Sequence, residues 1–243
     1  MNRKKLSAMI GIELNPSSHL EKLISGIGGF IAVYAIYRIS YMVLGDDAFL
    51  LVASMGAATV LLFAVPHGPL SQPWPLFGGN LISACIGVAC AQLIPDIYMA
   101  AAAAVGLSVT VMYYLKCIHP PGGATALSAV VGGAAVYDLG FQYVITPVLL
   151  NVTVIFLVAF LFNYIFTWRR YPAKLAKVEQ KSAGGLTTPS GLSHQGIEYA
   201  LRQIDSFIDV SEKDLNQIYR LANEFDSSQE SKQGVAINPD HGK

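Results

Sequence analysis

Residues 97–127 read IYMAAAAAVGLSVTVMYYLKCIHPPGGATAL, and this stretch sets the architecture. Residues 97–115 carry no charge. At about 1.5 Å per residue, an apolar helix of that length crosses most of the ~30 Å hydrocarbon core of a bilayer. Lys116 ends the run. His119-Pro120-Pro121 then launches a new element, because proline suits the first turn of a helix, where its missing N–H costs nothing. Residues 122–136, immediately after the prolines, are a short run of small residues.

The same alternation of apolar runs and sharp breaks extends in both directions. The chain has 243 residues, 53% hydrophobic and 13% charged, against about 25% charged in soluble domains. Between Leu23 and Trp168 the charged residues are Arg38, Asp46, Asp47, Asp96, Lys116 and Asp138, and all but Arg38 sit at breaks. A soluble core would need polar faces recurring every few residues. The reading is therefore an all-α membrane protein with about six hydrophobic helical segments, near 23–44, 48–65, 76–94, 97–115, 122–136 and 144–168. Residues 66–75 (PHGPLSQPWP) are expected to be loop.

Composition also divides the chain into domains. Residues 1–22 form a polar lead, 23–168 the transmembrane domain and 169–196 a basic flank and linker. Residues 197–225, with apolar residues at helical spacing, form a small cytoplasmic helical pair, and 226–243 a disordered tail. No secretory signal is read at the start. Lysine and arginine concentrate before the first apolar run and after the last, which puts both termini in the cytoplasm and requires an even number of crossings. Six full crossings satisfy this, as do four crossings with two re-entrant segments. The placement is a plasma membrane, the bacterial inner membrane.

A short internal repeat links the two halves. Gly56-Ala57-Ala58-Thr59-Val60-Leu61 matches Gly122-Gly123-Ala124-Thr125-Ala126-Leu127, and the apolar run after each copy carries an asparagine early, Asn80 and Asn151. The halves thus read as two three-segment pseudo-repeats, inverted if all six segments cross. Paired, interrupted short helices at matching positions point to a transport site.

At 116–127 the chemistry expected is anion binding. A helix N-terminus carries partial positive charge and amide donors, glycines leave those amides uncovered, and Lys116, His119 and Thr125 add charge and a hydroxyl. The candidate substrate-binding residues are His119, Pro120, Pro121, Gly122, Gly123, Thr125 and Lys116, joined by Gly56, Ala57 and Thr59 from the other copy and by Asn80 and Asn151. Arg38, deep in the first segment, is expected to form an ion pair or serve the pathway. His67 and Gln72, in the proline-rich loop, are further pathway candidates. Cys85, Cys90 and Cys117 lie in or beside apolar segments and read as small hydrophobes, with no metal pattern. No nucleophile triad, zinc motif or phosphate loop is present, so neither catalysis nor a cofactor is expected, and zero net charge argues against nucleic acid.

The run HPPGGATAL at 119–127 resembles the signature of the HPP family of membrane proteins. Residues 55–75 (MGAATVLLFAVPHGPLSQPWP), followed by Gly78-Gly79-Asn80, are similar to that family's first conserved block. The resemblance covers about residues 20–170. It implies a bundle of four or more spans and, from the family's best-described members, nitrite transport in chloroplasts and cyanobacteria. Residues 197–225 resemble the helical linker that precedes paired CBS domains in longer members. No CBS domain comes after them here, so adenine-nucleotide regulation is not expected.

The functional expectation is transport of a small monovalent anion, nitrite foremost, by a homo-oligomer in the bilayer. The alternative is a membrane-anchored sensor or scaffold whose cytoplasmic tail recruits a partner.

Overall fold

The computed structural model describes residues 18–45, 53–175, 215–220 and Asn223. The described residues are helical, with no strand among them. Helix α1 spans His19–Leu44, α2 Ala53–Ala64, α3 Asn80–Leu93, α4 Ile97–Tyr114, α5 Pro120–Val131, α6 Ala134–Leu139 and α7 Leu150–Tyr164. A widened π-helical turn, Pro75–Gly79, leads into α3, and a turn kinked at Thr146, whose φ of −129° and ψ of 106° are not helical, leads into α7 over Val144–Leu149. Residues 215–220 are helical. The first seventeen residues, residues 46–52 with the start of the expected second segment, most of the linker, the rest of the expected tail pair and the tail expected to be disordered lie outside the described residues.

Local chemistry sets the helix ends. The Ser18 hydroxyl accepts from the Glu21 amide at 3.1 Å and starts α1 four residues earlier than hydropathy suggests, satisfying one of the donors that a helix start leaves open. Asp96 does the same for α4 through the Met99 amide at 2.8 Å. The expected 122–136 segment is broken at Gly133, whose φ of 82° only glycine adopts easily, so α5 and α6 are separate. The last apolar helix stops at Tyr164 rather than Trp168. Of the proline-rich stretch expected to be loop, Pro69–Ser71 form a 3-10 turn and residues 73–75 are already helical, opening the run into α3, because proline is tolerated in a first helical turn.

Among the described residues four helices are long and apolar enough to cross a membrane: His19–Met42, Pro75–Leu93, Ile97–Tyr114 and Val144–Tyr164. Helices α2 and α5 have 12 residues each, about 18 Å, and cannot span the ~30 Å core as helix alone.

Side-chain contacts give the directions. Ser40 meets Asn151, and Glu21 meets Arg169, so α1 and α7 are antiparallel. Gly29 faces Thr59, and Gly28 faces Phe63, so α2 runs back along the first half of α1. Gly122 abuts Gly79, and Gly87 abuts Ala126 and Ala129, so α5 runs in the same direction as α3. Helix α2 packs on α1 and α7, α5 on α3 and α4, and the two short helices touch each other.

One end of the bundle is tied by a polar cluster that the sequence did not announce. Arg169, 1% exposed, bonds the Glu21 carboxylate, the Ser25 hydroxyl at 3.1 Å, the Asn163 side chain at 3.2 Å and the Phe63 carbonyl. Asn163 donates to the Leu62 carbonyl at 3.3 Å, and Ser71 to Leu61 at 3.0 Å and Val65 at 2.7 Å. The last carbonyls of α2 have no partner within their own helix. Here side chains from two other elements satisfy them, and the cation also matches the negative end of the helix dipole. Burial lowers the Arg169 pKa, and the Glu21 charge works against that shift. Tyr171 donates to the Ser71 carbonyl at 2.8 Å, and burial pushes its phenol up, so it stays a neutral donor.

Candidate functional site

The interior lined by α2 to α5 has almost no charge. Residues 53–95, 97–115 and 117–137 contain no Asp, Glu, Lys or Arg. Polar groups within it are therefore conspicuous, and they collect around His119.

His119 is fully buried, just ahead of α5. Its Nδ1 lies 2.9 Å from the Leu70 carbonyl oxygen. A carbonyl only accepts, so Nδ1 carries the proton of the neutral ring and Nε2 presents a lone pair. Nε2 has no protein hydrogen-bond partner. An unpartnered buried acceptor costs about 1–3 kcal/mol, so it marks a place where something else binds or moves.

One turn into α5, Thr125 donates to the Asn80 side-chain oxygen at 2.7 Å and approaches its own Pro121 carbonyl at 3.2 Å. The Asn80 amide donates to the Leu76 carbonyl at 2.8 Å, inside the widened turn before α3. Tyr143 donates to the Thr125 carbonyl at 3.0 Å. Ser83 reaches the Met112 sulfur at 3.9 Å, and the buried Ser108 hydroxyl, one turn away on α4, has no protein partner.

Close backbone approach holds the set together. A Cβ on Gly79 would sit 2.5 Å from the His119 Cβ, and one on Gly122 would sit 2.7 Å from the Gly79 carbonyl oxygen. Gly79 and Gly122 thus let two elements meet at backbone distance.

That geometry corrects the expected chemistry of the helix start. Pro120 and Pro121 have no N–H, and the Gly122 amide donates to the His119 carbonyl at 2.8 Å. A cradle of uncovered amides is not present at Gly122, because His119 folds back to close the first turn. The polar atom left over is on a side chain, His119 Nε2. Gly123 is partly exposed, with Val105 at 4.0 Å from where a Cβ would be.

The remaining candidates fall elsewhere. Lys116 is exposed, with φ of 54°. Gly56 has nothing within 4 Å of a Cβ position, Ala57 is exposed, and Thr59 bonds back to Met55 at 2.8 Å. No hydrogen bond among the described residues joins this copy of the repeat to His119. Asn151 accepts from Ser40 at 2.5 Å, away from Asn80. His67 lies 3.2 Å from the Arg170 carbonyl, and Gln72 bonds Pro66 at 3.2 Å, Gly68 at 2.9 Å and the Ala173 amide at 3.1 Å. Both brace the loop. Arg38 is exposed and has no ion-pair partner among the described residues. Six residues before the end of α1, about 9 Å, it can reach the interface by snorkelling. Asp46 and Asp47, the acidic residues that follow α1, lie outside the described residues.

The transmembrane region of the HPP family matches residues 15–172. The chain belongs to the HPP transmembrane family. Two curated relatives of this HPP protein, both described as transmembrane proteins of Dictyostelium discoideum, are similar to it. One is 34% identical over 153 residues, covering 61% of this chain and 49% of the relative. The other is 36% identical over 126 residues, covering 50% and 44%. The chain thus spans about half the length of these relatives or less. No solved structure matches it.

Proposed function

We propose that this HPP protein carries a small monovalent anion, nitrite foremost, across a plasma membrane through the His119 site. The observation that carries the reading is His119 itself: a fully buried imidazole in an uncharged interior, with one nitrogen fixed by Leu70 and the other unpartnered. Asn80, which follows the Gly79 that abuts His119, and Thr125, bonded to Asn80, supply neutral polar groups beside it. Hydroxyls and amides hold an anion weakly, which lets it leave again.

The arrangement of helices supports alternating access over an open pore. His119 is closed off on every side, so an ion reaches it only when segments part. The proposed topology is six passes in two inverted halves, residues 19–93 and 97–164. In each half the middle pass is a 12-residue helix completed by non-helical chain or a short extra helix. Two parallels support this. Each short helix packs on two long ones and on the other short helix, and each half ends with a widened or kinked turn leading into a helix that carries Asn80 or Asn151 near its start. Both termini are proposed to lie in the cytoplasm of a bacterial cell, with a homo-oligomer as the assembled form.

The test is uptake of nitrite, nitrate, formate and chloride into proteoliposomes. The expected result is nitrite uptake that survives deletion after Lys181 and falls about tenfold or more in His119→Ala, the loss expected for a hydrogen bond to a charged group. No flux of any of these anions in folded protein sinks the reading and leaves the tail-based sensor or scaffold.

A further inference from the structure

We propose that the anion enters this site together with a proton, and that His119 Nε2 takes that proton. The inference rests on the transport reading above and adds the coupling.

The argument starts from which groups can meet a negative ion. With Nδ1–H committed to Leu70, the neutral ring offers only a lone pair at Nε2. A lone pair repels an anion. Once protonated, the same atom becomes a charged N–H donor, the strongest kind of partner for a small anion. Protonation alone is costly there, since a buried cation needs a counter-charge. Among the described residues the surroundings supply none. Cys117 adjoins the ring in sequence, Cys85 and Cys90 lie on α3, and His67 shares the loop with Leu70 but faces the Arg170 carbonyl. Tyr143 is committed to the Thr125 carbonyl. The tyrosines of α4 and Lys116 are exposed. No carboxylate occurs between residues 53 and 95, 97 and 115, or 117 and 137.

Each charge is therefore unfavourable without the other. An anion alone meets a lone pair and neutral dipoles, whereas a proton alone makes an unpaired buried imidazolium. Together they form a neutral ion pair in a dry interior. The step balances: imidazole plus HA gives imidazolium and A⁻, with the H–A bond exchanged for Nε2–H and no change in oxidation state. The complex that crosses is neutral overall, so movement of the loaded site is not opposed by the membrane potential.

The test is calorimetric titration of the full-length, detergent-solubilised protein with sodium nitrite and with sodium nitrate, in two buffers of different ionisation enthalpy. The expected result is uptake of about one proton per anion, with the apparent Kd rising about tenfold per pH unit between pH 6 and 8. His119→Asn keeps a donor for Leu70 and removes Nε2, so it should bind more weakly and without a pH slope. Binding with no proton uptake in the wild-type protein overturns the coupling and leaves the anion reading standing. A slope retained in folded His119→Asn also overturns it. If the protein binds none of these anions and transports none, the failure lies in the anion reading itself.

Discussion

Thr125 on the short helix α5 donates its hydroxyl to Asn80 at the first position of the long helix α3, at 2.7 Å with both residues buried. This is the polar bond that fixes the depth of the short helix against the span beside it. Interhelical bonds of this kind contribute about 0.6 kcal/mol on average in membranes, and up to about 1.7. Thr125→Val and Asn80→Ala, separately and together, should show a coupling in that range in thermal unfolding of purified protein. Additive losses would mean the contact is incidental.

Gly122 of the HPPGG run should be intolerant for packing reasons. Gly122→Ala places a methyl 2.7 Å from the Gly79 carbonyl oxygen, and overpacking typically costs about 1–3 kcal/mol. Gly56→Ala, at the matching position of the first half, meets nothing within 4 Å and should be neutral or slightly stabilising. Equal stability of the two variants would show that the α3–α5 joint is looser than its distances imply.

Arg169 holds α1, α2 and α7 at one point. Removing one partner of a buried pair costs about 3 kcal/mol or more, so Arg169→Ala should lower thermal stability sharply. Arg169→Lys should recover only part, since an ammonium cannot reproduce the guanidinium fork. Glu21→Gln should cost less, because Glu21 keeps 27% exposure and leaves the contacts to Phe63 and Asn163 intact. Full stability of Arg169→Ala in melting experiments would refute the clamp.

Sidedness can be read with single cysteines in a background where Cys85, Cys90 and Cys117 are alanine. Lys116 and Asp138 are both exposed and flank the α5–α6 stretch. If that stretch makes a pass, Lys116→Cys and Asp138→Cys should react with an impermeant maleimide from opposite sides of the membrane. Reaction from the same side would make it re-entrant and reduce the crossings to five, or to four if the matching helix α2 is re-entrant as well.

Much of this was legible in the chain. The long apolar segments, the charge-bearing breaks and the Pro-Pro launch of α5 follow from length, solvation and the missing proline N–H, all local properties. The role of Gly122 was misread because exposed amides and close packing give glycine the same signature; only the neighbour, the Gly79 carbonyl, separates them. Arg38 looked buried because its place within α1 was judged without knowing which face it occupies, and that face is an exposed one. Arg169 looked like one more flank residue among Arg170, Lys174 and Lys177. Little local marks it as buried, since apart from Asn163 its partners Glu21, Ser25 and Phe63 lie about 100 or more positions away. The lone Nε2 of His119 likewise depends on the Leu70 carbonyl, 49 positions upstream.

The place of Arg169 in the chain also bears on how the bundle is made. A ribosome delivers the chain from its amino end, so α1 and α2 are inserted well before the residue that closes the carbonyl end of α2 exists. Until then Leu62 and Phe63 have neither of their later partners, Asn163 and Arg169. The domain is thus expected to stay unlatched through most of its synthesis, and chains stopped short of Arg169 should be the ones that quality-control proteases remove.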